Sequence, residues 1–189
     1  MLNINVEIKE QFDFFLELIK GNKIVVNNPI YLKPKKNHNF SVYGTSDVTH
    51  ESIEDEILIM IEKSRRNKQY GIKLRCKSLS SVPFIRFDSD GPAHRNDDPR
   101  KSIKENKIET PHFNTFNNIG QEYAYKTTQL LDEKESVAIE NDLNFGLAHF
   151  CHETNTSLQD GTFPEAIELS PELAFVDLPT INFTDMNFE

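Results

Sequence analysis

Apolar positions at the start of the chain follow a helical period. Ile8, Phe12, Phe15, Leu16 and Ile19 form one stripe at 3.6 residues per turn. Asn5 stands where an N-cap belongs, Glu7 suits the first turn, and Gly21 falls where a C′ residue takes positive φ. The period then shortens to two. KIVVNNPIYL reads as an edge strand or a strand broken at Asn-Asn-Pro, and FSVYGTS as a short partner. Residues 53–61 admit two readings: Ser52 with Asp55 resembles a capping box, whereas the unbroken run Ile57–Ile61 suits a buried strand. YGIKLRCKSL alternates Ile72, Leu74 and Cys76 with Lys73, Arg75 and Lys77, and VPFIRFD follows as another strand.

Residues 90–110 have no apolar period and are rich in Gly, Pro, Asn, Asp and Lys, which predicts a long structureless loop of the kind that often carries function. PHFNTF and EYAYKTT predict two strands around Asn-Asn-Ile-Gly. A second helix is expected from Asp132 to Glu153, opened by a capping box of Asp132 and Glu135. Its stripe is Ile139, Leu143, Leu147, Phe150 and Cys151. Gly146 inside that helix costs about 1 kcal/mol relative to Ala. After Thr154 the periodicity dissolves. Pro164, Pro171 and Pro179 interrupt a stretch in which Phe163, Ile167, Leu169, Leu173, Phe175, Ile181, Phe183 and Phe188 recur between acids. So many large apolar groups mark a docking segment, in cis or in trans. The expected fold is α+β: a mostly antiparallel sheet of about six or seven strands with an N-terminal and a C-terminal helix. Residues 1–154 form one domain and residues 155–189 an extended acidic tail.

Charge sharpens that division. Residues 1–134 hold all 21 Lys and Arg with 19 of the 30 acids, while residues 135–189 hold the other 11 acids and no Lys or Arg. The net charge of −9 therefore arises in the last 55 residues, the second helix together with the tail. Seven basic residues crowd the stretch from Lys63 to Lys77, including Arg65, Arg66 and Arg75; they read either as a solvated sheet face or as an anion-binding patch. Two cysteines, Cys76 and Cys151, are too few for a disulfide framework, which points to a reducing, cytoplasmic setting. The first residues lack the apolar core of a signal peptide, and the longest apolar run is too short to span a bilayer, so no membrane partner is expected. No P-loop, dinucleotide fingerprint, CxxC pair or nucleophile elbow occurs, and no cofactor is expected.

Chemistry-bearing residues concentrate in one region. Arg86 and Asp88 are two apart on a strand and share a face; His112 and Asn114 do the same on a later one. His94, Arg95 and Asn96 follow a Gly-Pro turn between them. If the strands are neighbours, Arg86, Asp88, His94 and His112 converge, with Arg95, Asn96 and Asn114 beside them. The run FIRFDSDGPAHRN, then TPHFNTF and EYAY, resembles an uncharacterised family of short bacterial and phage proteins. Members carry an Arg-x-Asp strand, a Gly-Pro-x-His-x-Asn turn, a His-x-His strand and a closing helix. Here Asn114 replaces the second His and Tyr123 replaces a Trp. The resemblance covers residues 1–155 and implies a strand at Ile57–Ile61, but it supplies no activity. The cluster is also similar, as a site alone, to those of bacterial ribonuclease toxins.

Two functions follow, and whether the protein is an enzyme stays open between them. One is a small interaction protein, an inhibitor or accessory factor in bacterial or phage conflict, whose residues 155–189 meet a basic protein or nucleoprotein. The other is an RNA-directed, ribonuclease-like protein in which the histidines supply acid and base, Arg86 or Arg95 steadies the phosphate, and Asp88 orients an imidazole. A zinc or harder divalent ion on Asp88, His94 and His112 is the weakest reading, since an amide at Asn114 is a poor ligand. A purely structural role, with Arg86 paired to Asp88 and the histidines bonded to loop carbonyls, stands equal to the functional ones. His149 and His152 are expected to be satisfied helix residues, and His38 and His50 to be isolated in loops.

Overall fold

The computed structural model describes residues 4–36 and 38–169. Helix α1 (Val6–Glu10) and helix α2 (Phe12–Lys20) replace the single N-terminal helix expected, with the break at Gln11. Asn5 is the N-cap: its side chain accepts from the Ile8 amide at 3.0 Å. Gly21 is not a left-handed cap, since its φ is −70°. The carbonyls at the helix end are met instead by the buried Lys23 ammonium, 2.7 Å from Leu18 O and 2.6 Å from Gly21 O. Burial lowers the Lys23 pKa to about 8, and Glu51 opposes that fall.

Strands β1 (Lys23–Val25) and β2 (Ile30–Lys35) come from the segment broken at Asn-Asn-Pro. Both pair with β3 (His38–His50), which runs for 13 residues rather than the short strand expected, so His38 and His50 end a strand instead of lying in loops. Strands β4 (Ile57–Ser64), β5 (Tyr70–Cys76) and β6 (Ile85–Asp88) continue the antiparallel meander. The connection expected to be structureless contains a small hairpin, β7 (His94–Arg95) with β8 (Lys107–Ile108). Strands β9 (His112–Phe116) and β10 (Glu122–Tyr125) form the predicted hairpin, whose Gly120 sits at φ 75°.

Three helices follow: α3 (Thr128–Leu131), α4 (Glu133–Asn141) and α5 (Leu143–Glu153). Asp132 caps α4 by accepting from the Glu135 amide, as its spacing predicts. The long helix nevertheless breaks at Asp142, whose side chain caps α5 through the Asn144 and Phe145 amides. The break exposes carbonyls, and the buried Tyr70 hydroxyl donates to those of Ile139 and Asp142. Residues 155–169 are built into the sheet rather than leaving it. Strand β11 (Thr156–Ser157) lies parallel to β1, and β12 (Ala166–Glu168) lies parallel to β2. Leu173, Phe175, Ile181, Phe183 and Phe188 lie outside the described residues, with Pro171 and Pro179.

The architecture is α+β. Among the described residues its mostly antiparallel sheet has ten strands rather than six or seven, in the order β10-β9-β6-β5-β4-β3-β1-β11, with β2 branching from β3 and β12 pairing with β2. One face is apolar: Ile57, Ile59, Ile61, Ile72, Leu74, Phe87 and Phe113 are all nearly unexposed. Leu147, Phe150 and Cys151 of α5 belong to the same core, where Phe113 stacks on Phe150 at 6.0 Å. Both cysteines are free and buried. The other face, with Tyr43, Thr45, Glu62, Lys73, Arg75, Arg86 and Asp88, keeps partial access to solvent. Among the described residues no helix is long and apolar enough to cross a membrane.

Tyr70 also explains Gly146. A Cβ there would lie 1.7 Å from the Tyr70 hydroxyl oxygen and 2.6 Å from its Cζ. Helix propensity alone makes Gly146→Ala stabilising. The expected outcome is the reverse, a loss of about 1–3 kcal/mol from overpacking, read as a lower urea midpoint. A midpoint at or above that of the wild type would show that α5 does not need the close approach.

Candidate functional site

The site rests on the pairing of β6 with β9. Their register sets Arg86 opposite Asn114, Phe87 opposite Phe113 and Asp88 opposite His112. Phe87 and Phe113 turn into the core, 5.1 Å apart, so the four polar side chains share the other face. There the Asp88 carboxylate is the common acceptor. Its Oδ2 takes a hydrogen bond from Arg86 Nε at 2.8 Å and one from Asn114 Nδ2 at 2.8 Å. His112 Nε2 stands 3.8 Å from the same oxygen, an electrostatic neighbour beyond hydrogen-bond length. On the far side, Arg86 Nη2 lies 3.6 Å from Glu122 Oε1 of β10.

His94 arrives from the connection between β6 and β9. Its ring meets that of His112 edge-on, with centroids 6.4 Å apart and planes at 72°. A side-chain latch holds it there. Asn96 donates to Ala124 O at 2.8 Å and accepts from Ala124 N at 2.7 Å, imitating one more strand residue against the edge strand β10. Asn106 ties the middle of the connection through Asp98 O, Lys101 O and the Asp98 amide. Gly91 turns at φ 136°, a conformation that favours glycine. The connection is thus an ordered flap with few apolar contacts, held by amide side chains that periodicity does not register.

Burial divides the cluster into accessible and inaccessible members. The side chain of His112 is 3% exposed, whereas those of Arg86 and Asp88 are 38% and 29% exposed, and His94 is half-buried. Burial lowers the His112 pKa, while Asp88 beside it acts in the opposite direction. Asn114 Oδ1 is buried without a hydrogen-bond partner among the described residues, which is uncommon for folded proteins, whereas the Glu109 carbonyl lies near enough to the His112 ring to favour its charged form. Two depressions flank the pair of Arg86 and Asp88. One, of about 280 Å³, is bordered by Glu62, Gly71, Lys73, Asp88 and Asp90. The other, of about 310 Å³, lies beside Arg86, Asn114 and Glu122.

The remaining candidates from the sequence sit elsewhere or act structurally. Arg95 is exposed on β7, and Asn96 is the latch just described. Arg65 pairs with Glu168 at 2.8 Å, and the Arg66 guanidinium lies 3.3 Å over the Phe40 ring. Arg75 follows Lys73 on the open face, with its Nε buried and unpartnered. Two residues absent from the candidate set also border the site: Lys73, across from Arg86 in register, and Glu122. Alternation along β5 and β10 carried that signal, but only the strand order makes these residues neighbours of Arg86. Among the described residues no group of three His, Cys, Asp or Glu side chains is arranged to hold a metal ion.

Arg86 and Lys73 can thus present donors to an anion on the open face, with half-buried His94 at its rim. In comparisons with protein-family models, curated proteins and solved structures, no family, protein or structure matches the chain.

His149, behind this cluster in the core, makes stability depend on pH. Its Nε2 is 3.0 Å from the Thr127 hydroxyl, and its ring packs edge-on against Phe113. Burial, with His152 nearby second, lowers its pKa to about 4 from an ordinary 6.5. Below 6.5 the unfolded chain binds a proton that the folded chain refuses until about 4. Its contribution is therefore complete above 6.5 and declines as pH falls through that window. The expected loss by pH 4 is on the order of 3 kcal/mol. Urea unfolding of wild type and His149→Gln across this range should give a shallower slope for the variant; equal slopes would clear His149 of the effect.

Proposed function

We propose that the protein is RNA-directed and holds a sugar-phosphate backbone on the open face of its sheet. The observation that carries this reading is the convergence of Arg86, Asp88, Asn114 and His112, capped by His94 and flanked by Lys73. Arg86 has one N–H committed to Asp88, and its part-exposed guanidinium keeps further donors for a phosphate oxygen. Asp88 fixes that guanidinium in place, so little rotamer freedom is lost on binding. Any proton transfer falls first to His94, because His112 is enclosed and faces Asp88. The two-histidine acid–base scheme thus has one accessible member in this conformation, and binding is the more direct role of the site. The bacterial or phage setting and the cytoplasmic location are part of the same proposal, and rest on the motif resemblance and the cysteine usage.

Fluorescence anisotropy with labelled single-stranded oligoribonucleotides tests it. The wild type is expected to bind, and Arg86→Ala and Lys73→Ala should each weaken binding. Each should also reduce the slope of log affinity against log salt by about 0.7. Loss of any cleavage in His94→Ala would add the catalytic role. Absence of binding at low salt, or indifference to both substitutions, would end this reading.

A second reading keeps the acidic tail as the working part, in an inhibitor or accessory factor that meets a basic protein or nucleoprotein. Charge pairing at the tail's base favours it: Glu168 lies 3.4 Å from Lys63 and 2.8 Å from Arg65, so one acid of this segment already engages a basic surface in cis. Residues 156–168 contribute β11 and β12, so a truncation must begin at residue 170 to spare the fold. With a poly-lysine peptide as probe, the full chain should bind with steep salt dependence and the chain ending at Leu169 should not. Equal binding by both would remove the tail from the account.

A further inference from the structure

The open face of the sheet extends well beyond Arg86 and Asp88, and the strand registers give the order of side chains along it. Asp88 lies across from Gly71, Gly71 from Glu62, Glu62 from Tyr43, and Tyr43 from Lys33. These five residues form one row from β6 to β2 on a single face. Lys73 and Arg86 stand across from each other two residues along, and Tyr31 shares the face of Lys33, since Ile30 and Leu32 are buried on the other. The row has a low middle and an aromatic end. A Cβ at Gly71 would meet only ordinary contacts, the nearest 3.5 Å away at Phe87 O, so packing does not require glycine there. Its missing side chain instead keeps open a depression of about 280 Å³ between Glu62 and Asp88. Beyond Glu62, Tyr43 and Tyr31, 45% and 50% exposed, border a second depression of about 540 Å³ together with Lys33. Ile167, 43% exposed, lies across from Tyr31 on β12.

The other three tyrosines are engaged within the fold. Tyr70 donates to the carbonyls of Ile139 and Asp142, Tyr125 stacks on Phe113 and donates to Glu153, and Tyr123 packs against Tyr125. A single exposed aromatic is ordinary, but two tyrosines and an isoleucine grouped on one face mark a binding surface. Charge selects the class of partner. Each carboxylate of the row carries its own cation, Glu62 with Lys35 at 2.8 Å and Asp88 with Arg86 at 2.8 Å, while Lys33 and Lys73 stand outside these pairs. Flat rings beside lysines on an open sheet match an unpaired nucleic acid strand, whose bases offer π-faces and whose backbone is anionic. We propose that Tyr31 and Tyr43 are stacking platforms for the bases of a single RNA strand that crosses the sheet from Arg86 toward β2. From β3 to β6 is three strand spacings, about 14 Å, so one short stretch of strand reaches both ends. The inference rests on the RNA-directed reading above and deepens it: the backbone lies across Lys73 and Arg86, and the bases lie on the tyrosines, as unstacked single-stranded RNA bases commonly do.

Stacking and charge leave different marks on binding, which separates the inference from the reading beneath it. Fluorescence anisotropy of a labelled single-stranded oligoribonucleotide with the full chain, repeated over a range of salt, is the measurement. Tyr31→Leu and Tyr43→Leu should each bind at least about fivefold more weakly. Their slope of log affinity against log salt should equal that of the wild type, because no phosphate contact is lost. Tyr43→Phe, which keeps the ring, should bind as the wild type does. The chain has no Trp, so quenching of its tyrosine emission by the unlabelled strand gives a second readout. That quenching should shrink in both Leu variants and persist in saturated Arg86→Ala. Far-ultraviolet circular dichroism would confirm that the variants are folded. Wild-type affinity in either Leu variant, with Arg86→Ala weakened, overturns the platforms and leaves the RNA reading standing. Weakened Leu variants with indifference to Arg86→Ala and Lys73→Ala uphold the stacking surface and overturn the site of that reading. If no strand binds, both fall, and self-association lost in Tyr43→Leu would assign the patch to a second copy of the chain instead.

Discussion

The register between β6 and β9 is the constraint on which the site depends. Phe87 and Phe113 are fully buried, face each other at 5.1 Å, and extend their contact to Tyr125, His149 and Phe150. Slipping this pairing by one residue would turn two phenylalanines to solvent and a charged pair into the core, at a cost of several kcal/mol. Aromatic burial on one face thus fixes the geometry of Arg86, Asp88, His112 and Asn114 on the other. The polar cluster need not assemble itself. It is assembled by the side chains behind it.

That arrangement lets Asp88 act as a fixed anion. Its hydrogen bonds to Arg86 and Asn114 orient a guanidinium and an amide without closing the cleft, and leave Asn114 Oδ1 without a partner. Such an unsatisfied group is a cost to stability.

Elsewhere, polar side chains take over tasks that backbone periodicity suggested for other residues. Lys23 rather than Gly21 serves the carbonyls of α2, and the Tyr70 hydroxyl serves those left by the break between α4 and α5. Asn96 completes the edge of β10 and brings the flap of His94 onto the sheet. Each is a contact between residues far apart in the chain, so each lies beyond a reading based on local spacing. Glu168 belongs to the same group: its pairing with Lys63 and Arg65 joins the start of the acidic segment to the end of β4.

Alternation and helical period by themselves determined the α+β class, the strands at Tyr70–Cys76 and Ile85–Asp88, the hairpin of β9 and β10, and the caps at Asn5 and Asp132, while Ile57–Ile61 stayed open between helix and strand on the residue pattern alone. These depend on which face of a local element is apolar, and that is written into consecutive residues. Spacing also placed Arg86 with Asp88, and His112 with Asn114, on common faces. Only the tertiary structure decided that those faces are one face, that Lys73 and Glu122 border it, and that His112 is enclosed while His94 stays accessible. It also decided that residues 155–169 complete the sheet in parallel with β1 and β2. The physical reason is that strand order, burial and side-chain latches depend on contacts between distant segments, whose free energies no local pattern encodes.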